Sequence, residues 1–236
     1  MVKLTLWQGD CLKVLPKLPD ESVDLVLTDP PYNIGKAEWD KVDITFFQKW
    51  LTECKRVTKH TILTFCSHIF VKDIRIIAED YLGLNYKMML IWDFRERNFT
   101  PQRNYKCGFD TILFFTKTDD YVFNRPYEYS KCWNILKFTR VQSNRKEGNK
   151  IAKRKYHITQ KPIELIKHLL KIHSNGGDTV LDPFLGSGTT MKACLELGRN
   201  CIGIELNPGY IKIIKERLNW GSSLNPDVLF EFRVVE

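Results

Sequence analysis

The alternation of short apolar runs with stretches of helical periodicity constrains the fold of this chain most strongly. Residues 46–56, 163–172, 189–197 and 210–218 carry apolar side chains at the spacing of one helix face. Runs rich in β-branched and other apolar residues, typical of buried strands, occupy residues 4–7, 23–27, 61–65, 88–92, 112–115, 179–181 and 201–204. Such alternation predicts an α/β fold, a mainly parallel twisted sheet with helices on both faces. Residues 228–235 are interpreted as an additional edge strand.

The composition favours one globular domain over residues 1–236, because a chain that is 43% hydrophobic can bury a core. No apolar run approaches the ~18 residues of a membrane span, and the first ten residues lack the pattern of a signal peptide. The seven cysteines include no Cys-x-x-Cys pair, and the five histidines are not spaced as metal ligands. We therefore expect a cytoplasmic protein with reduced thiols, no membrane segment and no bound metal.

A stiff acidic turn, Asp29-Pro30-Pro31-Tyr32, directly follows the run at residues 23–27. Two consecutive prolines have no amide hydrogens and fix an extended backbone. The Asp29 carboxylate and the Pro30 carbonyl then form a pair of neighbouring acceptors, which suits a planar amino group with two N–H donors. Tyr32 offers a flat face on which a heterocycle can stack. The alternative is a structural turn capped by Asp29, and the presence of Tyr32 favours the chemical interpretation.

A glycine-rich loop follows the run at residues 179–181, where residues 182–190 read DPFLGSGTT. Glycines between a strand and a helix let a ligand approach the backbone closely. Met191 stands where a dinucleotide-binding loop would have its third glycine, and the phosphate-binding Gly-Lys-Ser/Thr pattern is absent. The loop therefore predicts a nucleoside-like ligand without clear provision for phosphates.

Four acidic residues each follow an apolar strand: Asp10, Asp29, Asp182 and Glu205. In an open parallel sheet they would meet in one crevice beyond the carboxyl ends of the strands. Glu205 lies 17 residues after Gly188, a distance at which an acidic residue can bind both hydroxyls of a ribose. One half of the crevice would hold a ribose-bearing ligand, and the other half the acidic turn. This layout predicts a transferase with two substrates.

With these motifs the sequence resembles the amino-group DNA methyltransferases that use S-adenosylmethionine. Residues 29–32 match the catalytic motif of that family, and residues 182–188 match its cofactor loop. Residues 9–10, 38–40 and 159–165 supply further matches. The catalytic motif precedes the cofactor loop, which is similar to the circularly permuted beta group. The resemblance implies a Rossmann-like methyltransferase fold.

The resemblance also implies roles for individual residues. Asp29, Pro30, Pro31 and Tyr32 would form the catalytic clamp around an exocyclic amino group. Asp10 would approach the adenine of the cofactor, Glu205 its ribose, and Lys161 its methionine end. The complete set expected to bind the cofactor is Asp10, Cys11, Lys161, Asp182, Phe184, Gly186, Ser187, Gly188, Thr189 and Glu205.

The resemblance further implies that the target base flips out of duplex DNA, because its amino group is inaccessible within a base pair. In that family an Asp before Pro-Pro-Tyr is commoner in enzymes that methylate adenine N6, and a Ser in those that methylate cytosine N4. Asp29 therefore favours adenine, and cytosine N4 remains the alternative. Residues 34–43 are expected to close over the flipped base.

The net charge of the chain is concentrated in one segment. Residues 131–156 contain nine basic residues and one acidic residue, which accounts for the whole formal net charge of +8. This concentration predicts a DNA-facing surface, and the resemblance implies a target-recognition insertion at residues 117–156. The residues expected to contact double-stranded DNA are Arg95, Arg97, Arg103, Lys137, Arg140, Arg145, Lys146, Lys153, Arg154 and Lys155. A cognate restriction endonuclease and a homodimer are left open as further partners.

Three other classes of protein share some of these features. RNA and glutamine side-chain methyltransferases use related motifs that usually begin with Asn, so Asp29 counts against them. A non-catalytic DNA-binding module on the same fold predicts damaged motifs, whereas both motifs are intact here. The absent third glycine counts against a nicotinamide-dependent oxidoreductase.

Overall fold

The computed structural model describes residues 1–32, 43–94, 105, 107–126, 133–141, 160–222 and 226–235. Within these residues nine strands form a single sheet. In chain order the strands are β1 (Val2–Gln8), β2 (Val23–Thr28), β3 (Thr58–Cys66), β4 (Asn85–Asp93), β5 (Phe109–Thr116), β6 (Ile135–Lys137), β7 (Thr179–Asp182), β8 (Asn200–Glu205) and β9 (Val228–Val234). All seven strand runs expected within the sheet are therefore confirmed.

The strands follow the order β6-β4-β5-β3-β2-β7-β8-β1-β9 across the sheet. Every described pairing is parallel except those of β5, which runs antiparallel to both β3 and β4. The mainly parallel α/β sheet is confirmed. Strand β9 pairs with β1 along its whole length, from Val2 opposite Val228 to Gln8 opposite Val234, which confirms the predicted edge strand.

Helices cover both faces of the sheet, as the sequence predicts. They are α1 (Cys11–Val14), α2 (Ile44–Val57), α3 (Val71–Ile76), α4 (Ile163–His173), α5 (Thr189–Leu197) and α6 (Pro208–Arg217). Helices α4, α5 and α6 pack in one core cluster with residues such as Leu25 and Leu63 of the sheet. Helices α1, α2 and α3 pack in a second cluster with residues such as Val26 and Ile62. Because neighbouring strand residues point to opposite faces, these two clusters form the two layers on either side of the sheet.

Three elements are missing from the sequence prediction: helix α1, helix α3 and strand β6. Helix α3, continued by a π-helical turn over Ile77–Tyr81, was not expected, and its apolar residues Ile74, Ile77 and Ala78 are buried under the sheet. Strand β6 lies within residues 131–156, which the sequence placed outside the α/β pattern. That expectation is wrong for these three residues, which extend the sheet by parallel pairing with β4. Only Leu136 of β6 is buried. A single buried residue gives no alternating apolar pattern from which the sequence could predict a strand.

The first part of the predicted insertion is also tied to the domain. The Lys117 backbone amide donates to the carbonyl of His60 at 2.8 Å. The side-chain amide of Asn124 donates to the carbonyls of Lys171 and Ser174 at the end of α4, each at 3.1 Å. A target-recognition role for residues 117–156 stays a prediction.

The strand order places a crevice between β2 and β7. From β7 the chain crosses through α5 to β8 on one side, whereas β2 leads towards β3 on the other. This divergence is the point at which ligands bind in open α/β sheets. Among the described residues, no helix combines the length and apolarity that a membrane crossing needs. The cysteines that the structure describes are free thiols, and all of them except Cys107 are buried.

Candidate active site

A cavity of about 560 Å³ lies at the carboxyl ends of β1, β2, β7 and β8. The four acidic residues expected to meet in one crevice, Asp10, Asp29, Asp182 and Glu205, all line it. All of residues 29–32 line it as well, so the acidic turn and the glycine-rich loop share one cavity. The predicted meeting of the two motifs is confirmed.

The acidic turn presents its carboxylate at the end of β2. Tyr32 is buried, and its hydroxyl donates a short hydrogen bond to Oδ1 of Asp29. Burial, followed by the nearby charges of Asp29 and Asp110, raises the pKa of Tyr32 well above its usual range. The phenol therefore stays protonated and donates to Asp29. The Lys161 ammonium lies 2.8 Å from the other oxygen, Oδ2, of the same carboxylate.

Asp182 holds the glycine-rich loop against the neighbouring strand. Its Oδ1 accepts hydrogen bonds from the Thr28 hydroxyl at 2.9 Å and from the Phe184 amide at 3.1 Å. Burial raises the pKa of Asp182 to about 6, opposed by hydrogen bonds from Thr190, Phe184 and Thr28. Because Thr28 precedes Asp29, the hydrogen bond from Thr28 to Asp182 fixes the glycine-rich loop relative to the acidic turn.

Glu205 bridges the loop and the end of β8. Its Oε2 accepts from the Gly186 amide and its Oε1 from the Asn207 amide, each at 2.7 Å. Burial raises its pKa to about 7. An ionised carboxylate has about four lone-pair sites, so Glu205 retains acceptor capacity for hydroxyl donors of a ligand.

The other residues expected to bind the cofactor divide into two groups. Those that line the cavity are Asp10, Cys11, Lys161, Phe184, Gly186, Ser187 and Thr189. Gly188 is not among the lining residues. It caps α5 in the left-handed conformation at φ 83°, and a Cβ there would lie 3.0 Å from Cγ1 of Ile214. Gly188 therefore shapes the loop from behind.

Asp10 and Cys11 begin helix α1 beside the cavity. Oδ1 of Asp10 accepts from the Leu12 amide at 2.9 Å and so caps the helix. Burial, followed by the charge of Asp10, raises the pKa of the Cys11 thiol. Cys11 is therefore a neutral wall of the cavity and not a nucleophile.

Sequence reasoning missed several lining residues, among them Phe46 and Gln160. The Phe46 ring, from the first turn of α2, lies 5.8 Å from the ring of Phe184. The side-chain oxygen of Gln160 is buried and has no hydrogen-bond partner among the described residues. The proximity of Gln160 to Lys161 in the sequence could have identified it, whereas nothing in the local sequence marks Phe46.

The cavity has the chemistry that S-adenosylmethionine needs. Phe46 and Phe184 supply an apolar wall, the glycine-rich loop allows close approach, and Glu205 retains acceptor sites. The unpartnered oxygen of Gln160 offers a buried acceptor to a donor group of a ligand. The described residues contain no cluster of three or more metal-ligating side chains.

Most of the expected DNA contacts lie outside the described residues: Arg95, Arg97, Arg103, Arg145, Lys146, Lys153, Arg154 and Lys155. The same holds for residues 34–42 of the segment expected to close over the base. Of the two that are described, Lys137 is exposed on β6. The Arg140 guanidinium lies over the Phe94 ring, 3.6 Å from its centroid.

Comparisons with known proteins identify the family. The N6/N4 methyltransferase family model, described as DNA methylase, matches residues 23–216, more than half of the chain. The type II methyltransferase M.HpaI of Haemophilus parainfluenzae is 36% identical, over 89% of this chain and 73% of its own length. The DNA adenine methyltransferase YhdJ of Escherichia coli strain K12 is 34% identical, over 95% of this chain and 86% of its own.

A solved structure agrees in fold. The crystal structure of the M1.HpyAVI–SAM complex superposes with a TM-score of 0.71 at 28% identity, covering 92% of this chain and 99% of that one. SAM is S-adenosylmethionine, so the expected cofactor is confirmed at the level of the family. The match to the family model includes both motifs, in the beta-group order with residues 29–32 before residues 182–188. The chain therefore belongs to the amino-DNA methyltransferases, the N6/N4 DNA methylase family.

Proposed function

We propose that this protein transfers a methyl group from S-adenosylmethionine to the N6 amino group of an adenine that is flipped out of duplex DNA. The observation that carries the proposal is the Asp29 carboxylate at the end of β2, in the same cavity as the glycine-rich loop and Glu205. The cofactor would lie between Phe46, Phe184 and Glu205. The target base would reach Asp29 from the side of Tyr32.

The residues of the acidic turn account for activation of the amino group. An exocyclic amino group is a weak nucleophile because its lone pair is delocalised into the ring. Two acceptors, the Asp29 carboxylate and the Pro30 carbonyl, would hold its two hydrogens and favour a pyramidal nitrogen. Asp29 also lies where it can stabilise the positive charge that develops on the nitrogen and accept the proton it releases. S-adenosylmethionine supplies an already activated sulfonium methyl, so positioning provides much of the remaining acceleration.

Two observations favour adenine over cytosine. The clamp begins with Asp29, the residue commoner in adenine-specific enzymes of this family. In addition, YhdJ, at 34% identity, is named a DNA adenine methyltransferase. Cytosine N4 is the second candidate, since its amino group makes the same demand on the clamp. A non-catalytic role is disfavoured because Asp29, Tyr32 and Lys161 form an intact polar cluster in the cavity.

The test is to incubate the protein with S-adenosylmethionine and either genomic DNA or, in a parallel reaction, total RNA, and to map modified bases by single-molecule sequencing. We expect N6-methyladenine at one short sequence. N4-methylcytosine in its place would overturn the choice of base, and modification of RNA alone would overturn the DNA proposal.

The matched variant for this test is Asp29→Asn, which keeps the shape of the side chain and removes its charge. Its methylation rate is expected to fall by at least ~100-fold, as for loss of a group that stabilises transition-state charge. Its affinity for S-adenosylmethionine, measured by titration calorimetry, should stay within about threefold, because the cofactor is held by other residues. A folded Asp29→Asn protein with a near-normal rate would contradict the mechanism.

The recognition of DNA is proposed to lie in residues 117–156, with Lys137 and Arg140 among its contacts. The concentration of the net charge in residues 131–156 supports this placement. A second copy of the chain is a further proposed partner, which size measurements on the purified protein and its DNA complex would test. A cognate endonuclease is also proposed, and DNA cleavage that methylation by this protein blocks would test it.

A further inference from the structure

Lys161 is held in a pocket of opposite charges and aromatic rings. Its side chain is only 7% exposed, and Nζ lies 2.8 Å from Oδ2 of Asp29 and 3.6 Å from Oδ2 of Asp110. The ring centroids of Phe65, Tyr32 and Trp92 lie 4.9 Å, 5.4 Å and 5.8 Å from Nζ. These six residues are called the Lys161 box: Tyr32, Asp29, Phe65, Trp92, Asp110 and Lys161.

The box engages both oxygens of the carboxylate that the target amino group would need. Oδ1 of Asp29 accepts the hydrogen bond of Tyr32, and Oδ2 accepts that of the Lys161 ammonium. An ammonium is a stronger donor to a carboxylate than a neutral amino group is. While Lys161 remains in place, it therefore competes with an arriving base for Asp29.

Asp110 offers the ammonium a second position, away from the ligand. Lys161 and Asp29 line the cavity, whereas Asp110, at the start of β5, is not among the lining residues. Closing the separation from Asp110 to a charge-assisted hydrogen bond of about 2.8 Å requires a displacement of only ~1 Å. That displacement moves Nζ towards Asp110 and keeps the buried ammonium paired, which matters because an unpaired buried charge is costly.

The Trp92 wall of the box is anchored, which leaves the long side chain of Lys161 as the part able to shift. The Trp92 indole N–H donates to the carbonyl of Phe138 at 2.7 Å. Trp92 also contacts Phe94, with ring centroids 4.8 Å apart. All three ring centroids lie within about 6 Å of Nζ, so cation–π contact stabilises the ammonium where it now lies.

We propose that Lys161 is paired with Asp29 in the free protein, where it competes with other donors for the carboxylate. It shifts to Asp110 when the target amino group arrives. Asp110 is thus a positioning residue for methyl transfer, acting through Lys161. The inference rests on the proposed function, since it takes Asp29 as the acceptor of the target amino group. No bond is formed or broken in the shift.

The test compares Asp110→Asn with the double variant Asp110→Asn/Lys161→Met. In Asp110→Asn the ammonium has Asp29 as its remaining carboxylate, so the single-turnover rate with saturating DNA is expected to fall about tenfold. Removing Lys161 as well frees Asp29, and the double variant is expected to be at least ~5-fold faster than Asp110→Asn, a coupling measurable in a double-mutant cycle. Lys161→Met alone should be slow, because Asp29 and Asp110 then repel each other without a cation between them.

A double variant that is as slow as or slower than Asp110→Asn would overturn the proposal. Asp110→Glu keeps the charge and should recover most of the rate, whereas a loss equal to that of Asp110→Asn would indicate packing alone and also overturn it. If thermal melting shows that Asp110→Asn does not fold, Asp110→Ser carries the same prediction. The matched surface control is Asp20→Asn, which removes the exposed partner of Arg56 and should leave the rate unchanged.

Failure of this inference and failure of the proposed function are distinguishable in the same assay. If Asp29→Asn is inactive while Asp110→Asn has a normal rate, the proposed role of Asp110 is wrong. The proposed role of Asp29 as acceptor of the target amino group is then retained. If Asp29→Asn retains its rate, the clamp itself is wrong. In both cases calorimetry with S-adenosylmethionine separates a loss of cofactor binding from a loss of transfer.

Discussion

Glu205 and Asp182 place two carboxylates, the first half-buried and the second buried, in the proposed cofactor half of the cavity, with pKa values of about 7 and about 6. Burial is the largest cause in both, and hydrogen bonds from backbone amides lower each value in part. Glu205 therefore changes its charge near neutral pH. Only the ionised carboxylate offers both oxygens as acceptors to ribose hydroxyls.

We expect the affinity for S-adenosylmethionine to increase as pH rises through the pKa of Glu205, about 7. Titration calorimetry at several pH values on either side would measure this change. Glu205→Gln should bind more weakly and lose most of the pH dependence. Glu164→Gln, at an exposed partner of Lys167, is the control and should behave like the original protein. An unchanged pH dependence in Glu205→Gln would contradict the assignment.

The effect on folding has the opposite sign. Because burial raises the pKa of Glu205 from 4.5 to about 7, its ionisation disfavours the folded state. The free protein should therefore lose part of its stability as pH rises from about 4.5 towards 7. Thermal melting without cofactor should show this loss, and Glu205→Gln should reduce it.

At the level of single residues, the sequence predicted the site residues that belong to a motif. It missed the site residues that only tertiary packing brings to the cavity. Asp29 and Glu205 could be found because each directly follows an apolar strand. Phe46 could not, because only the packing of α2 brings it to Phe184. Lys161 was expected at the methionine end of the cofactor, and its contact with Asp110 could not be foreseen, since these residues come from segments far apart in the chain.

Among the secondary structure elements, β8 supports the cofactor loop at a position where a side chain does not fit. A Cβ on Gly203 would overlap the Leu185 side chain of the loop and lie 2.9 Å from Cε of Met191 in α5. The loop that carries Gly186 therefore lies directly on the backbone of β8.

Gly203→Ala is expected to reduce the free energy of unfolding by about 1–3 kcal/mol, the usual effect of overpacking a core. Because Leu185 must move, cofactor affinity should fall as well. Urea unfolding and calorimetry would measure the two effects. The control is Gly176→Ala, where a Cβ would meet no atom within 4 Å, and a similar loss there would contradict the packing argument.

Longer elements were predictable because each carries a complete apolar pattern. Helix α5 begins and ends at the residues expected, since Gly198 in the left-handed conformation stops it. Helix α3 was missed because it has six residues and continues into a π-helical turn, which changes the spacing of its apolar side chains. Strand β6 was missed because its surroundings are basic and only one of its side chains is buried.

At the scale of the whole molecule, the excess positive charge and the cavity of the sheet lie in different segments of the chain. In the proposed function the cavity would take the cofactor and the target base, whereas residues 131–156 carry the charge excess. A polyanion bound through such a segment releases counterions, so its affinity depends on salt.

Replacing Lys153, Arg154 and Lys155 with Gln should reduce the slope of log affinity against log salt concentration by up to ~3, about 0.9 for each phosphate that is no longer neutralised. DNA binding by fluorescence anisotropy at several salt concentrations would measure the slope. Replacing Lys17, Lys49 and Lys72, exposed on the helices of one face, removes the same charge and should change the slope little. Equal changes in the two triple variants would contradict a localised DNA surface.

The position of β1 between β8 and β9 has a consequence for folding during synthesis. Both neighbours of this strand come from the other end of the chain, so β1 has no partner until residue 200 and beyond has been made. At roughly 5–20 residues per second, that wait is on the order of ten to forty seconds. The apolar strand Val2–Gln8 is thus exposed to chaperones and to wrong pairing for most of translation, and the half of the sheet that carries Glu205 is completed last.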